Sequence, residues 1–228
     1  MKWIIDFLTS SIGRKLTMAL TGLFLILFLT IHLIGNLQLL AGDGGKAFNI
    51  YSEFMGHNPL IQTVSIGNFF FIILHTIQGI LLALKNKKAK GSKYAVATND
   101  KTSWASKNMA LLGTLLLAFI LMHLGHFWFA MKTGASDLTM VTYDGVEVIN
   151  SYDKVVSVLT NPIWLIAYLV GLLVLAFHLS HGFASAFQSL GLRHKKYTPL
   201  IKIIGSAYAV LIPLGFAIIP LYLYFTQA

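Results

Sequence analysis

The stretch NMALLGTLLLAFILMHLGHFWFAM, residues 108–131, runs for 24 positions without an acidic side chain, a lysine or an arginine. A helix rises about 1.5 Å per residue, so this run is long enough to cross a hydrocarbon core of roughly 30 Å. Its only ionisable groups are His123 and His126. Reading outward from it, four further apolar runs of the same kind emerge, at 16–40, 62–84, 162–187 and 203–225. Pro162 suits the first turn of the fourth, where a missing N–H breaks no bond. Pro213 and Pro220 are expected to kink the fifth, a disturbance that neighbours in a bundle tolerate. The pattern predicts an all-α integral membrane protein, a single transmembrane domain over 1–228 built as a five-helix bundle. No internal repeat argues for a duplicated transporter.

Composition supports this reading. Of the 228 residues, 56% are apolar and only 11% charged, and the mean hydropathy is +0.73. A water-soluble domain of that size needs more polar surface than this. The chain has no cysteine, which excludes disulfides, iron–sulfur clusters, thiolate ligation of haem and covalent haem attachment through this chain. Residues 1–11 hold an apolar stretch too short to span and no small-residue cleavage site, so they read as an interfacial lead-in.

The net charge of +9 points to membrane orientation rather than to nucleic acid, because of where it lies. Lys2, Arg14 and Lys15 precede the first run. Lys85, Lys87, Lys88, Lys90, Lys93, Lys101 and Lys107 separate the second from the third, and Arg193, Lys195, Lys196 and Lys202 separate the fourth from the fifth. The alternate connections hold only Lys46, Lys132 and Lys154, together with Asp43, Glu53, Asp137, Asp144, Glu147 and Asp153. The positive-inside rule then places the N-terminus in the cytoplasm and the C-terminus outside.

Six of the eight histidines fall in these runs: His32, His75, His123, His126, His178 and His181. An ionisable group in hydrocarbon is costly and needs a partner. One such histidine is as well explained by an interhelical hydrogen bond. Six of them, in runs that contain no Asp or Glu, are better explained by imidazoles facing an iron macrocycle. Depth sorts them. His32 and His123 each lie eight residues from the outer end of their runs, about 12 Å deep. His75 and His178 each lie nine residues from the inner end, about 13 Å deep. Two level pairs result, His32 with His123 and His75 with His178, as two bis-histidine haems require. His126 and His181, one turn beyond a chosen ligand on the same face, fit that levelling less well. They read as neighbours of a haem propionate or a quinone, or equally as packing histidines. His57 and His194 fall in connections, where a solvated histidine is the ordinary reading.

Four segments carry a family resemblance: Thr30-Ile-His-Leu-Ile-Gly-Asn36, Leu74-His-Thr-Ile-Gln-Gly79, Met122-His-Leu-Gly-His-Phe-Trp128 and Phe177-His-Leu-Ser-His-Gly182. In order on four consecutive runs, they resemble the ligand segments of the di-haem cytochrome b anchor of succinate dehydrogenase and menaquinol:fumarate reductase, the single-chain, five-helix type. The opening Ser-Ser-Ile-Gly-Arg-Lys and the Asn-Pro before the fourth run extend the likeness over nearly the whole chain. The resemblance implies axial ligands His32, His75, His123 and His178, two haem b groups, and electron passage between a membrane quinone, menaquinone in this type, and a cytoplasmic partner. That partner would be a flavoprotein with an iron–sulfur subunit, carrying the FAD, the clusters and all of the dicarboxylate chemistry, in the cytoplasmic (inner) membrane of a bacterium. Some members carry a glutamate two positions before the ligand on the fourth helix; residue 176 here is Ala. Some place an acidic residue before the second helix as the quinone's proton partner, and Glu53 is the nearest candidate, against the plainer reading of a solvated carboxylate.

Haem propionates call for cations or donors near each face. Ser10, Ser11, Arg14, Lys15, Trp104 and Lys107 are candidates at the inner face, and His126 at the outer. Plain topology charge explains Arg14 and the lysines as well or better. The basic connections face soluble partners and anionic lipid together. Two other functions fit less closely. A di-haem cytochrome b of a hydrogenase or formate dehydrogenase would share the histidines and differ in its soluble subunits. A cofactor-free transporter would be colourless and would carry broken helices near mid-membrane.

Overall fold

The computed structural model describes residues 2–89, 103–134 and 138–227. Lys90, Lys93, Lys101 and Asp137, counted above in the charge pattern, lie outside the described residues. Five helices are long and apolar enough to cross a membrane: Ser11–Leu40, Pro59–Lys88, Met109–Thr133, Pro162–Ser189 and Thr198–Gln227. The first, second and fifth begin three to five residues before the apolar runs that announce them, and the third and fourth extend two residues beyond theirs at the C-terminal end. Hydropathy marks where lipid is, whereas a helix continues until a cap ends it.

In chain order the elements are α1 (Lys2–Thr9) and α2 (Ser11–Asn36), which runs on into a 3-10 turn at Leu37–Leu40. Next come α3 (Lys46–His57), α4 (Pro59–Ala89) and the short α5 (Trp104–Lys107). The third span is composite: α6 (Met109–His123), a π-helical segment at Leu124–Phe129 and α7 (Ala130–Thr133). Then follow β1 (Met140–Tyr143), β2 (Val146–Ile149), α8 (Ser151–Leu159), α9 (Pro162–Ser189) and α10 (Thr198–Gln227).

Local chemistry sets several boundaries. Ser10 caps α2, its Oγ accepting from Gly13 N at 3.0 Å. Gly13 lies so close to the Phe7 carbonyl that any Cβ there would strike it; glycine therefore lets α1 fold back on α2. An Asn-Pro pair opens both α4 and α9. Asn58 Oδ1 accepts from Leu60 N at 3.0 Å and Asn161 Oδ1 from Ile163 N at 3.0 Å, while Pro59 and Pro162 take the first helical position. The fifth helix runs unbroken through Pro213 and Pro220, both of which are buried.

The contacts define two ends of the bundle. At one, Lys85 Nζ at the foot of α4 donates to Ser11 Oγ at 2.6 Å, and Trp104 packs on Phe177 of α9 with ring centroids 5.4 Å apart. This end carries Arg14, Lys15, Lys85, Lys87, Lys88 and Lys107, together with the turn between α9 and α10 that holds Arg193, Lys195 and Lys196; it is called the basic end below. The opposite end is covered by α3, α8 and the hairpin β1–β2, here called the cap. Among the described residues, the hairpin supplies the strands of an otherwise helical chain. Its strands pair antiparallel, Met140 opposite Ile149 and Tyr143 opposite Val146. The turn between them is Asp144-Gly145, both with positive φ, the pattern that favours a two-residue hairpin loop.

Asn49 holds the cap together. Its side chain is fully buried, and it donates to Tyr143 Oη and Asn150 Oδ1, each at 3.0 Å, while accepting from Tyr152 N at 2.7 Å. One amide thus joins α3 to the hairpin and to α8. Beneath it Leu39, Phe48, Tyr152, Val155, Val158, Leu159, Tyr168, Ile219 and Leu223 form a buried apolar cluster that fastens the cap to α9 and α10. Burial there holds the phenols of Tyr51 and Tyr152 above the ordinary tyrosine range; for Tyr152 the phenol of Tyr222 and the carboxylates of Asp153 and Asp43 push the same way. Closer to mid-bundle, Leu172, Leu175 and Leu179 of α9 pack on Ala209 of α10. Small residues allow the helices to approach: a Cβ on Gly205 would meet Phe183, and one on Gly215 would meet Leu33.

A candidate centre of two histidine pairs

Helices α2, α4, α6 and α9 each carry one mid-span histidine toward the interior of the bundle. His32 of α2 and His123, the last residue of α6, have ring centroids 5.9 Å apart. His75 of α4 and His178 of α9 have centroids 6.3 Å apart. Two imidazoles on opposite sides of one metal ion, each nitrogen about 2.0 Å from it, place their ring centroids about 6 Å apart. Both separations match that figure. The interplanar angles, 89° and 63°, do not bear on the match, since each ring can turn about its own nitrogen–metal bond. Among the described residues, no group of three or more His, Cys, Asp or Glu side chains converges on a common point. Each pair therefore offers two ligands and no third, which suits a metal that brings its own equatorial donors.

The surroundings of the two pairs differ. His32 and His123, nearer the cap, sit among rings. Phe28 stacks on His32 at 5.2 Å and Phe216 lies at 5.6 Å. Phe119, Phe127 and Tyr168 surround His123 at 6.2, 5.2 and 6.1 Å. Asn36 Nδ2 stands 3.4 Å from His32 Nδ1 while donating to the His32 carbonyl at 2.7 Å; the longer contact is too weak to set a tautomer. Nearer the basic end, His75 Nδ1 lies 3.0 Å from Thr21 Oγ1. Gly22 is beside the same ring, where a Cβ would stand 3.3 Å from Cε1. Three buried polar atoms, His178 Nδ1, Asn68 Oδ1 and Gln78 Oε1, have no hydrogen-bond partner among the described residues. Buried orphans of this kind are rare and call for a guest with polar groups of its own. All three belong to the two helices that supply His75 and His178.

The other candidates fall into place as follows. His126 lies within the π segment, where a turn takes more residues than in an α-helix. Like His123, it faces the ring of Tyr168 on α9. Its ring packs on Trp164 at 4.4 Å, and its Nδ1 is 3.2 Å from Tyr168 Oη. His181, half-buried, follows His178 on α9 toward the basic end. Ser10 is engaged as a helix cap, Ser11 receives Lys85, and Arg14 Nε donates to the Thr9 carbonyl at 3.0 Å. Lys15 is exposed, and Trp104 and Lys107 lie on α5 at the same end. Glu53, on α3 in the cap, pairs with His57 one turn on, Oε1 to Nδ1 3.0 Å. His194 is part of the turn before α10, its Nδ1 accepting from Lys196 N at 3.2 Å.

Residues that span-counting passes over are Thr21, Tyr168, Asn49 and the π segment. A hydroxyl or amide carries no periodic signal, and its role depends on the neighbour it meets. The Asp144-Gly145 turn and the second Asn-Pro pair were open to a local reading.

Among curated proteins, the chain is similar to the succinate dehydrogenase cytochrome b558 subunit of Bacillus subtilis (strain 168). The two are 27% identical over 190 residues, which cover 80% of this chain and 84% of that protein. The chain resembles a succinate dehydrogenase cytochrome b anchor. The likeness extends over most of both chains and does not rest on one motif alone. No family model and no solved structure matches the chain.

Proposed function

We propose that this chain is the membrane-anchor cytochrome b of a succinate:quinone oxidoreductase. It would hold two b haems, one between His32 and His123 and one between His75 and His178. The observation that carries the reading is the pair of centroid separations, 5.9 and 6.3 Å, on four helices that contribute no other ligand. The similarity to the Bacillus subtilis subunit supports the choice of partner enzyme.

Bound haem would supply one-electron chemistry. The chain's own residues do the rest. His32 with His123, and His75 with His178, would hold the two haems at two levels of the bundle. Around the cap-side pair Phe28, Phe119, Phe127, Phe216 and Tyr168 exclude water and lower the local polarity. Asn68 and Gln78 offer buried acceptors to polar groups of a guest. The basic end faces the cytoplasm by the positive-inside rule. There the exposed lysines meet the flavoprotein and iron–sulfur subunits and anionic lipid, while succinate and fumarate react on the flavoprotein. The cap, with Glu53 and His126, would face outward, where these two side chains would hold or pass on the protons that a quinone of the menaquinone type takes up or releases.

The test is a reduced-minus-oxidised spectrum of the purified complex with pyridine haemochrome quantitation. Two haem b per chain are expected, together with copurifying flavoprotein and iron–sulfur subunits. A colourless chain sinks the haem reading, and hydrogenase or formate dehydrogenase subunits in the preparation sink the choice of partner.

A further inference from the structure

The two imidazoles of the basic-end pair are held differently. His178 Nδ1 is buried without a partner among the described residues, whereas His75 Nδ1 has a hydroxyl 3.0 Å away, on Thr21. Thr21 is 2% exposed. Its Oγ1 is 2.8 Å from the Thr17 carbonyl oxygen and 3.2 Å from that of Met18. A hydroxyl has one proton, and a carbonyl can only accept. That proton therefore goes to the α2 backbone, and a hydroxyl lone pair is left facing the ring. The side of His75 that faces α2 thus meets an acceptor, so Nδ1 carries the ring hydrogen and the free lone pair of the neutral imidazole is at Nε2. Gly22, the next residue, bounds the ring with the 3.3 Å approach at Cε1.

We propose that Thr21 is a positioning residue for the basic-end centre: its hydroxyl, anchored to the Thr17 carbonyl, fixes the tautomer and orientation of His75. This rests on the haem reading given above. A hydrogen bond accepted from Nδ1–H increases the donor strength of the opposite nitrogen. Stronger donation favours the oxidised metal, so Thr21 holds the redox potential of its centre down. Among the described residues no hydroxyl or carbonyl stands at the ring nitrogens of the cap-side pair, and the two centres are thereby separated in potential.

The experiment uses the full chain in its native membrane complex, with Thr21→Val, Thr21→Ser and, as a control one turn away on the same helix, Thr17→Val. The readouts are a redox titration of the haem bands and the low-spin electron paramagnetic resonance signals. In Thr21→Val, one of the two centres should become easier to reduce. A severalfold to tenfold change in its oxidised-to-reduced ratio at fixed potential is expected, the upper figure corresponding to about 59 mV for one electron. The other centre should titrate as before, and Thr21→Ser and Thr17→Val should match the wild type. Unchanged centres in Thr21→Val, or equal shifts in Thr17→Val, overturn the proposal. Nitrogen-15 spectra of histidine-labelled wild-type chain read the tautomer directly, with or without haem. A hydrogen on Nδ1 of His75 is expected, and one on Nε2 overturns the proposal, whereas absence of haem with hydrogen on Nδ1 overturns only the haem reading.

Discussion

The two histidine pairs are close to equal in spacing and unlike in everything around them. The cap-side pair is walled by aromatic rings and roofed by the cap, while the basic-end pair is hydrogen-bonded through Thr21 and crowded by Gly22. On the proposed reading the two centres share one ligand type, and only their surroundings distinguish them. The levers left to the protein are burial, aromatic packing and a hydrogen bond to one ligand. A fixed acceptor acts on the electronics of its metal, and a wall of rings acts on access and polarity. Two centres with the same ligands can then differ in potential.

Removing a ligand from each pair gives the largest effect and tests whether the pairs are independent. His32→Ala and His178→Ala should each halve the haem found by pyridine haemochrome, and the surviving spectral component should differ between the two variants. His126→Ala should keep both haems, because its ring is engaged with Trp164 and Tyr168 rather than with His32. Loss of both haems from either single ligand variant would break the comparison, since it would make the pairs one cooperative unit.

The next effect separates the roofed pair from the other. Asn49→Ala removes three hydrogen bonds from a fully buried amide and leaves Tyr152 N without its acceptor. Each buried group left unpaired costs about 1–3 kcal/mol. The cap should loosen, read as faster proteolysis between residues 138 and 159, and only the cap-side haem signal should broaden. Smaller again is a pair of added methyl groups. Gly171→Ala drives a Cβ into the Phe119 ring, which packs on His123 at 6.2 Å. Overpacking of this kind costs about 1–3 kcal/mol, so the cap-side signal should shift. Gly22→Ala makes a milder contact, with His75 Cε1 at 3.3 Å, and should shift the basic-end signal less.

Span number and the residues of both pairs were legible in the sequence, because hydrocarbon imposes one requirement on every span and an intramembrane histidine stands out against it. The start of the fourth span at Pro162 was legible too, while the starts at Ser11 and Pro59 were not, since Ser10 and Asn58 are caps that hydropathy does not weigh. The setting of His126 is not given by a count of α-helical turns, because the π segment at Leu124–Phe129 changes the number of residues per turn there. The cap was hidden because it turns on one fully buried asparagine, Asn49, and no pattern in the chain separates that asparagine from a solvated one.

The smallest effect is a pH dependence, and it too falls on one pair. Tyr51 closes against α2, so near Gly35 that a Cβ there would strike its ring, and Tyr152 packs in the same way over Gly45. Both phenols are held above the ordinary value by burial, and Tyr152 also by Tyr222, Asp153 and Asp43. In an opened cap each would ionise near about 10. The native cap binds those protons more tightly than the open one, so its stability is complete below pH about 10 and falls as pH rises through the higher native values. A titration from pH 8 to 11 in native membranes should therefore alter the cap-side haem signal and leave the basic-end signal in place. Tyr51→Phe should push the onset to higher pH, because one ionising group is gone while the ring contact with Gly35 is kept. A simultaneous change in both signals would mean that alkali opens the bundle as a whole, and the cap would then have no stability of its own to lose.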